Sequence, residues 1–164
     1  MTRGFTLLEI ILAIVAMTII AVAAAVGLVE ITKGYIFSKK NAFIAQQGQI
    51  AVARLKKELS NIKSVTGIPT ATSITFVRSS DSSIHTISWA GGSNPLLLDN
   101  SDTLVTPVTS FSLNFYHKFD DASASPYSST TTSMIEMTLQ LKGAENAVIN
   151  FADRVNLYLE TGGI

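Results

Sequence analysis

The sequence predicts an α+β protein: a long N-terminal helix, membrane-spanning in its first half and amphipathic in its second, packed on a small antiparallel β-sheet. Three observations carry this. Residues 10–29 (IILAIVAMTIIAVAAAVGLV) contain no charged side chain, no proline occurs before Pro69, and beyond Pro69 the apolar period falls to two. Twenty helical residues rise about 30 Å, the thickness of a bilayer's hydrocarbon core. The run is longer than the apolar core of a secretory signal, and no small-residue cleavage site follows it.

The helix pattern continues past the apolar run. From Ile44, apolar side chains recur at Ala51, Leu55, Leu59 and Ile62, with Val52 alongside, which forms a stripe on one face. Arg54, Lys56, Lys57 and Glu58 fall mostly outside the stripe and read as a solvated face. Gly67 and Pro69 close the segment, placing the helix end around residues 62–66. Gly34 and Gly48 are the positions where this helix is expected to bend.

After Pro69 the chain is rich in Thr, Ser, Val, Ile and Phe, in short alternating runs that predict five to seven strands. Ile74 and Phe76 alternate with Thr75 and Val77, and Phe111, Leu113 and Phe115 with Ser112, Asn114 and Tyr116. Residues 84–89, 135–141 and 155–159 repeat the pattern. Breaks fall at Gly91, Gly92 and Pro95, at the Ser/Thr-rich stretch 120–133, and at Gly143. The stretch 120–133 reads as a mobile loop, having little apolar surface to bury. The helix stripe and the apolar sheet face each need a cover, and packing one on the other supplies both.

The chain has 164 residues, 47% of them hydrophobic and only 15% charged, with a formal net charge of zero. That is one globular domain plus an accessory segment, with no electrostatic reason to expect nucleic acid as a partner. Without cysteine, disulfides and thiolate metal sites are excluded. His85 and His117 have no second His or Cys nearby to form a metal cluster, and read as ordinary strand residues. Asp120 and Asp121 lack a further fixed ligand pattern and read as a solvated loop rather than a calcium site. No G-x-S-x-G, Walker, zincin or dinucleotide motif is present. Trp89 reads as a core residue. The expectation is therefore a protein that is not an enzyme and carries no cofactor and no metal.

The most informative residues are the first nine, MTRGFTLLE. An ionised acid in hydrocarbon costs several kcal/mol even after relaxation, so Glu9, at the head of an uncharged span, calls for a partner. No charge of the downstream span supplies one, since the next charged residue is Glu30. The string Gly4-Phe5-Thr6-Leu7-Leu8-Glu9, with Arg3 before it and the apolar run after it, resembles the type III signal of type IV prepilins and pseudopilins. The specific likeness covers residues 3 to about 30; the rest is similar in architecture only.

The resemblance implies a pilin-like fold and four parts: a cleaved leader at 1–4, a transmembrane helix at 5–29, a periplasmic amphipathic continuation at 30–66, and an antiparallel β head at 67–164. It implies that prepilin peptidase cuts between Gly4 and Phe5, and that Phe5 becomes an N-methylated first residue. A glycine suits a scissile backbone that a membrane protease must approach closely. Cutting exposes an α-amine at Phe5, for which Glu9 of a neighbouring subunit is the expected assembly counter-ion. Partners so implied are sibling pseudopilins or pilins, the peptidase, an inner-membrane assembly platform and the lipid bilayer.

Charge counting leaves the orientation open, because Lys33, Lys39 and Lys40 follow the span while Arg3 precedes it. The resemblance implies a leader in the cytoplasm and a single-pass protein of the bacterial inner membrane with its head in the periplasm. Tyr35 and Phe37 then fall near the outer interface. Many major pilins carry a bending proline near the position of Val26, and its absence favours a minor subunit. The amphipathic segment and strands resemble minor pseudopilins of the J type or minor pilins of the W type. A minor pseudopilin of a type II secretion system is the first expectation; a minor pilin acting in pilus assembly or adhesion is the alternative. A membrane-tethered periplasmic enzyme is a third reading, for which the sequence offers no catalytic constellation.

Overall fold

In the computed structural model, residues 6–118 and 120–157 are described. They form one long helix followed by eight β-strands. Helix α1 runs unbroken from Leu7 to Ser60. The chain divides into two compact units, Met1–Lys40 and Asn41–Ile164.

From Leu7 onward the first unit is helix alone. Every side chain of α1 from Leu7 to Ile36 is exposed, including Ile10, Ile11, Ile14, Ile19 and Ile20. Among the described residues this is the one helix long and apolar enough to cross a membrane. Thr18 and Thr32 return their hydroxyls to the carbonyls of Ile14 and Leu28, at 3.1 and 2.8 Å, so neither leaves a bare polar group on the helix surface.

The second unit begins within α1. Gly48, Ala51, Leu55 and Leu59 are its buried residues, spaced by three and four as the sequence predicts, with Ile44 and Val52 partly buried beside them. Strands β1 (Ile62–Val65), β2 (Ser73–Arg78), β3 (Ile84–Trp89), β4 (Leu96–Leu98) and β5 (Asp102–Val105) form a five-stranded sheet in chain order. Strands β6 (Val108–Tyr116), β7 (Met134–Lys142) and β8 (Val148–Asn156) form a second sheet of three. All neighbours are antiparallel. The Thr106–Pro107 peptide, between the sheets, is cis.

Leu55 and Leu59 join Ile74, Phe76 and Ile87 of the first sheet and Phe111, Leu139 and Leu141 of the second in one buried cluster. The helix is held along both edges of its stripe. Lys56 reaches Asp153 on β8 at 2.9 Å, Glu58 reaches Arg78 on β2 at 2.8 Å, and Arg54 pairs with Asp102 at the start of β5.

Several expectations are corrected. The helix does not extend to residue 66: Asn61 bonds back to the Glu58 carbonyl at 3.2 Å, and Ile62 enters β1 opposite Arg78. The β-branched residues Ile62 and Val65 are better served by a sheet edge than by another helical turn. Arg54, Lys56 and Lys57 are exposed, as a solvated face requires, whereas Glu58 is largely buried against Arg78 of β2. Gly48 lies in unbroken helix, at a close approach: a Cβ there would run into the Phe151 ring and stand 2.9 Å from Leu141 Cδ1. Two sheets replace the single one expected, and β1, β4 and β5 are additional to the strands read from the sequence. Residues 84–89 and 135–141 fall in β3 and β7. The last strand starts at Val148, earlier than expected, and Tyr158 and Leu159 lie outside the described residues.

The stretch 120–133 is tied down. Ser125 donates its N–H to the Phe115 carbonyl at 2.8 Å, the Tyr127 ring meets Phe115 edge-on, and Ser128 and Thr132 bond each other. Its hydroxyls and one aromatic do what apolar bulk was expected to be needed for.

Candidate functional site

The N-terminal end of α1 is built by two residues. Thr6 precedes the first helical residue, and its hydroxyl accepts the Glu9 N–H at 3.3 Å. Glu9 reaches back, and its Oε2 accepts the Thr6 N–H at 3.2 Å and the Thr6 hydroxyl at 3.3 Å. This reciprocal pair is a capping box, the T-x-x-E pattern that satisfies donors a helix start leaves unpaired. A negative group in the first turn also suits the positive end of the helix dipole.

Glu9 is thus partly partnered within its own helix, by the neutral donors of Thr6 rather than by a charge. The signal was in the sequence: Thr6 and Glu9 stand three apart directly before the apolar run. The described hydrogen bonds to the carboxylate all fall on Oε2. Beside Glu9, a shallow depression runs along α1, lined by Ile10, Ala13, Ile14 and Met17. The small side chain of Ala13, one turn on, makes room there. Gly4 and Phe5 lie outside the described residues.

A second polar constellation, which the sequence reading missed, sits at one end of the five-stranded sheet. His85, with its side chain 13% exposed, donates from Nδ1 to Asp99 Oδ2 at 2.7 Å. Its Nε2 lies 2.6 Å from the Ser83 hydroxyl and 3.4 Å from Asp81 Oδ2. Asp99 is itself oriented, because its Oδ1 accepts the Thr86 N–H at 2.9 Å. The hydrogen bond that His85 donates to the Asp99 carboxylate raises the His85 pKa against the opposing effect of burial. Burial raises that of Asp99, but the bonds from His85 and the Thr86 N–H outweigh it and lower the value. The Ser83 N–H holds Asp81 down to about 2.

The order Ser83–His85–Asp99 is that of a nucleophile, a base and its orienting acid. The surroundings argue against acyl transfer. The Ser83 N–H is committed to Asp81 Oδ1 at 3.0 Å, and the Ser82 N–H to the Arg78 carbonyl at 2.9 Å, so neither points at a developing oxyanion. The Asp81 carboxylate beside Nε2 would also oppose a negative charge growing on Ser83. No sequence motif marks this cluster, since Asp99 comes from a different hairpin.

Two other residues singled out by sequence, Asp121 and Trp89, have structural roles. Asp121 Oδ2 accepts the N–H groups of His117 and Lys118 at 3.1 and 2.9 Å, which closes the turn after β6. Trp89 is partly buried against the core and donates its indole N–H to the Asn94 carbonyl at 3.1 Å. Among the described residues, no group of three His, Cys, Asp or Glu side chains is placed to hold a metal ion.

The sequence matches no family model, and no match is found among curated proteins or solved structures.

Proposed function

We propose that the chain is a structural minor pseudopilin of a type II secretion system. In this reading prepilin peptidase cuts between Gly4 and Phe5, Phe5 is N-methylated, and the apolar half of α1 anchors the subunit in the inner membrane with the β head in the periplasm. The assembly platform then builds it, with sibling pseudopilins, into the periplasmic pseudopilus.

One observation carries the reading: a single carboxylate, Glu9, stands in the first turn of a helix whose apolar side chains are uncovered for its first thirty residues. Such a surface needs lipid before assembly and other helices after it. Glu9 keeps one carboxylate oxygen engaged with Thr6 and has the other for an incoming cation, and the α-amine of a processed neighbour is the cation the resemblance supplies. The α+β layout, with the second half of α1 packed on antiparallel strands, is compatible with a pilin-like fold.

Intact-mass analysis of the protein from its native membranes tests the proposal. The expected species begins at Phe5 and carries one methyl group. Retention of residues 1–4 in cells with an active peptidase, or cleavage after residue 29, would overturn it.

A further inference from the structure

His85 bridges two turns that are distant in sequence. On one side stand Asp81 and Ser83, in the turn between β2 and β3; on the other stands Asp99, in the turn between β4 and β5. Asp99 and Asn100 both have positive φ, 55° and 58°, the backbone of a tight hairpin turn. Phe76 flanks the imidazole, with ring centroids 6.0 Å apart. Arg78 on β2 pairs with Asp81 at 3.2 Å and with Glu58 of α1 at 2.8 Å, so the charges around His85 come from the helix, β2 and both turns.

We propose that His85 is a protonation-dependent clasp that joins the β2–β3 turn to the β4–β5 turn. In the neutral ring, Nδ1–H donates to Asp99 and Nε2 accepts the Ser83 hydroxyl proton. Asp81 then gains nothing from the ring. Protonation places a hydrogen on Nε2, which turns Ser83 from donor to acceptor and attracts Asp81. The cation now sits between two carboxylates, one from each turn. With His85 charged, the group of Glu58, Arg78, Asp81, His85 and Asp99 carries two positive and three negative charges; with it neutral, one against three.

The pH window follows from the shifts. A raised histidine pKa means that the clasp's contribution is full below the ordinary histidine range and is lost as pH rises through His85's own, higher value. The depressed carboxylates make the opposite contribution, present above their ordinary range and lost as pH falls through their folded values, about 2 for Asp81. The clasp is therefore closed in mildly acidic surroundings and relaxes on alkalinisation.

The test is an NMR titration of the full chain in detergent micelles, with the His117→Gln variant used to assign the two imidazoles. His85 is expected to titrate above the free-histidine value. Protection of the Ser83 and Thr86 amides, each corrected for intrinsic exchange at that pH, is expected to fall several-fold across that titration. His85→Gln should flatten the profile, and Asp81→Asn should flatten the Ser83 half while leaving Thr86 responsive to Asp99. Protection that stays constant through the His85 titration, or a His85 pKa at or below the free value, would overturn the clasp. Both readings come from the chain with His85 intact, so neither depends on a variant that folds poorly.

Discussion

At the residue scale, Glu9 closes the helix start with Thr6, and under the proposed function it also offers charge to a neighbour, a task separable from the first. Replacing it by Leu removes both, along with the cost of an acid in lipid, so the isolated subunit is expected to insert and be cleaved at least as well as the native one. The defect should appear on assembly, where a neighbour's amine stays an unpaired buried charge. Glu9→Gln divides the tasks, because glutamine still completes a capping box with Thr6 but carries no charge. Cross-linking to sibling subunits, measured against membrane-bound protein, should fall for both variants. If Glu9→Gln assembles like the native chain, the carboxylate's charge is not what assembly uses. Glu9 was legible in the sequence because a lone acid beside twenty uncharged residues has few explanations. The His85 cluster was not, because its members, residues 81, 83, 85 and 99, come from two hairpins that only the register of β3 against β4 brings together.

At the element scale, the second half of α1 is fixed by how closely it meets the strands. Leu55 is fully buried, and Leu55→Ala is expected to cost about 2–5 kcal/mol of head stability. Gly48→Val should also destabilise, by about 1–3 kcal/mol, since its side chain would have to displace the Phe151 ring and Leu141. Denaturant unfolding followed by near-ultraviolet circular dichroism measures both. An unchanged midpoint for Gly48→Val would mean that the helix and β8 can separate without loss. The apolar stripe was legible because its spacing of three and four is a local property. The function of Gly48 was not, because a glycine inside a helix looks the same in sequence whether it bends the chain or admits a ring. Strands β4 and β5 escaped for a similar reason: three leucines at 96–98 do not alternate, and the hairpin signal lies in the left-handed pair Asp99–Asn100.

At the scale of the molecule, the two compact units divide the chemistry between them. Between Leu7 and Ile31, fifteen large apolar side chains are exposed. Each is worth ~1.5–3 kcal/mol when removed from water, so this surface favours lipid by tens of kcal/mol. The unit from Asn41 onward has its own core, from Ala51 and Leu55 to Val155, and its own polar ties, such as the Asn41 side chain accepting the Ala144 N–H at 2.8 Å. A fragment beginning at Asn41 is therefore expected to fold alone and stay in the aqueous phase, while the full chain sediments with membranes and resists alkaline carbonate extraction. Its far-ultraviolet circular dichroism should show mixed helix and strand, with helix confined to the turns that end at Ser60. Within the fragment, α1 keeps the partners it has in the whole chain, since Arg54, Lys56 and Glu58 pair with residues of β5, β8 and β2. The Arg54 and Lys56 pairs are exposed and add little, so burial of Leu55 and Leu59, with the largely buried Glu58–Arg78 pair beside them, has to supply most of the docking energy. A fragment that aggregates, or whose spectrum is mainly helical or disordered, would mean that the head depends on the apolar half of α1 for its fold. A full chain released by carbonate would count against the anchor.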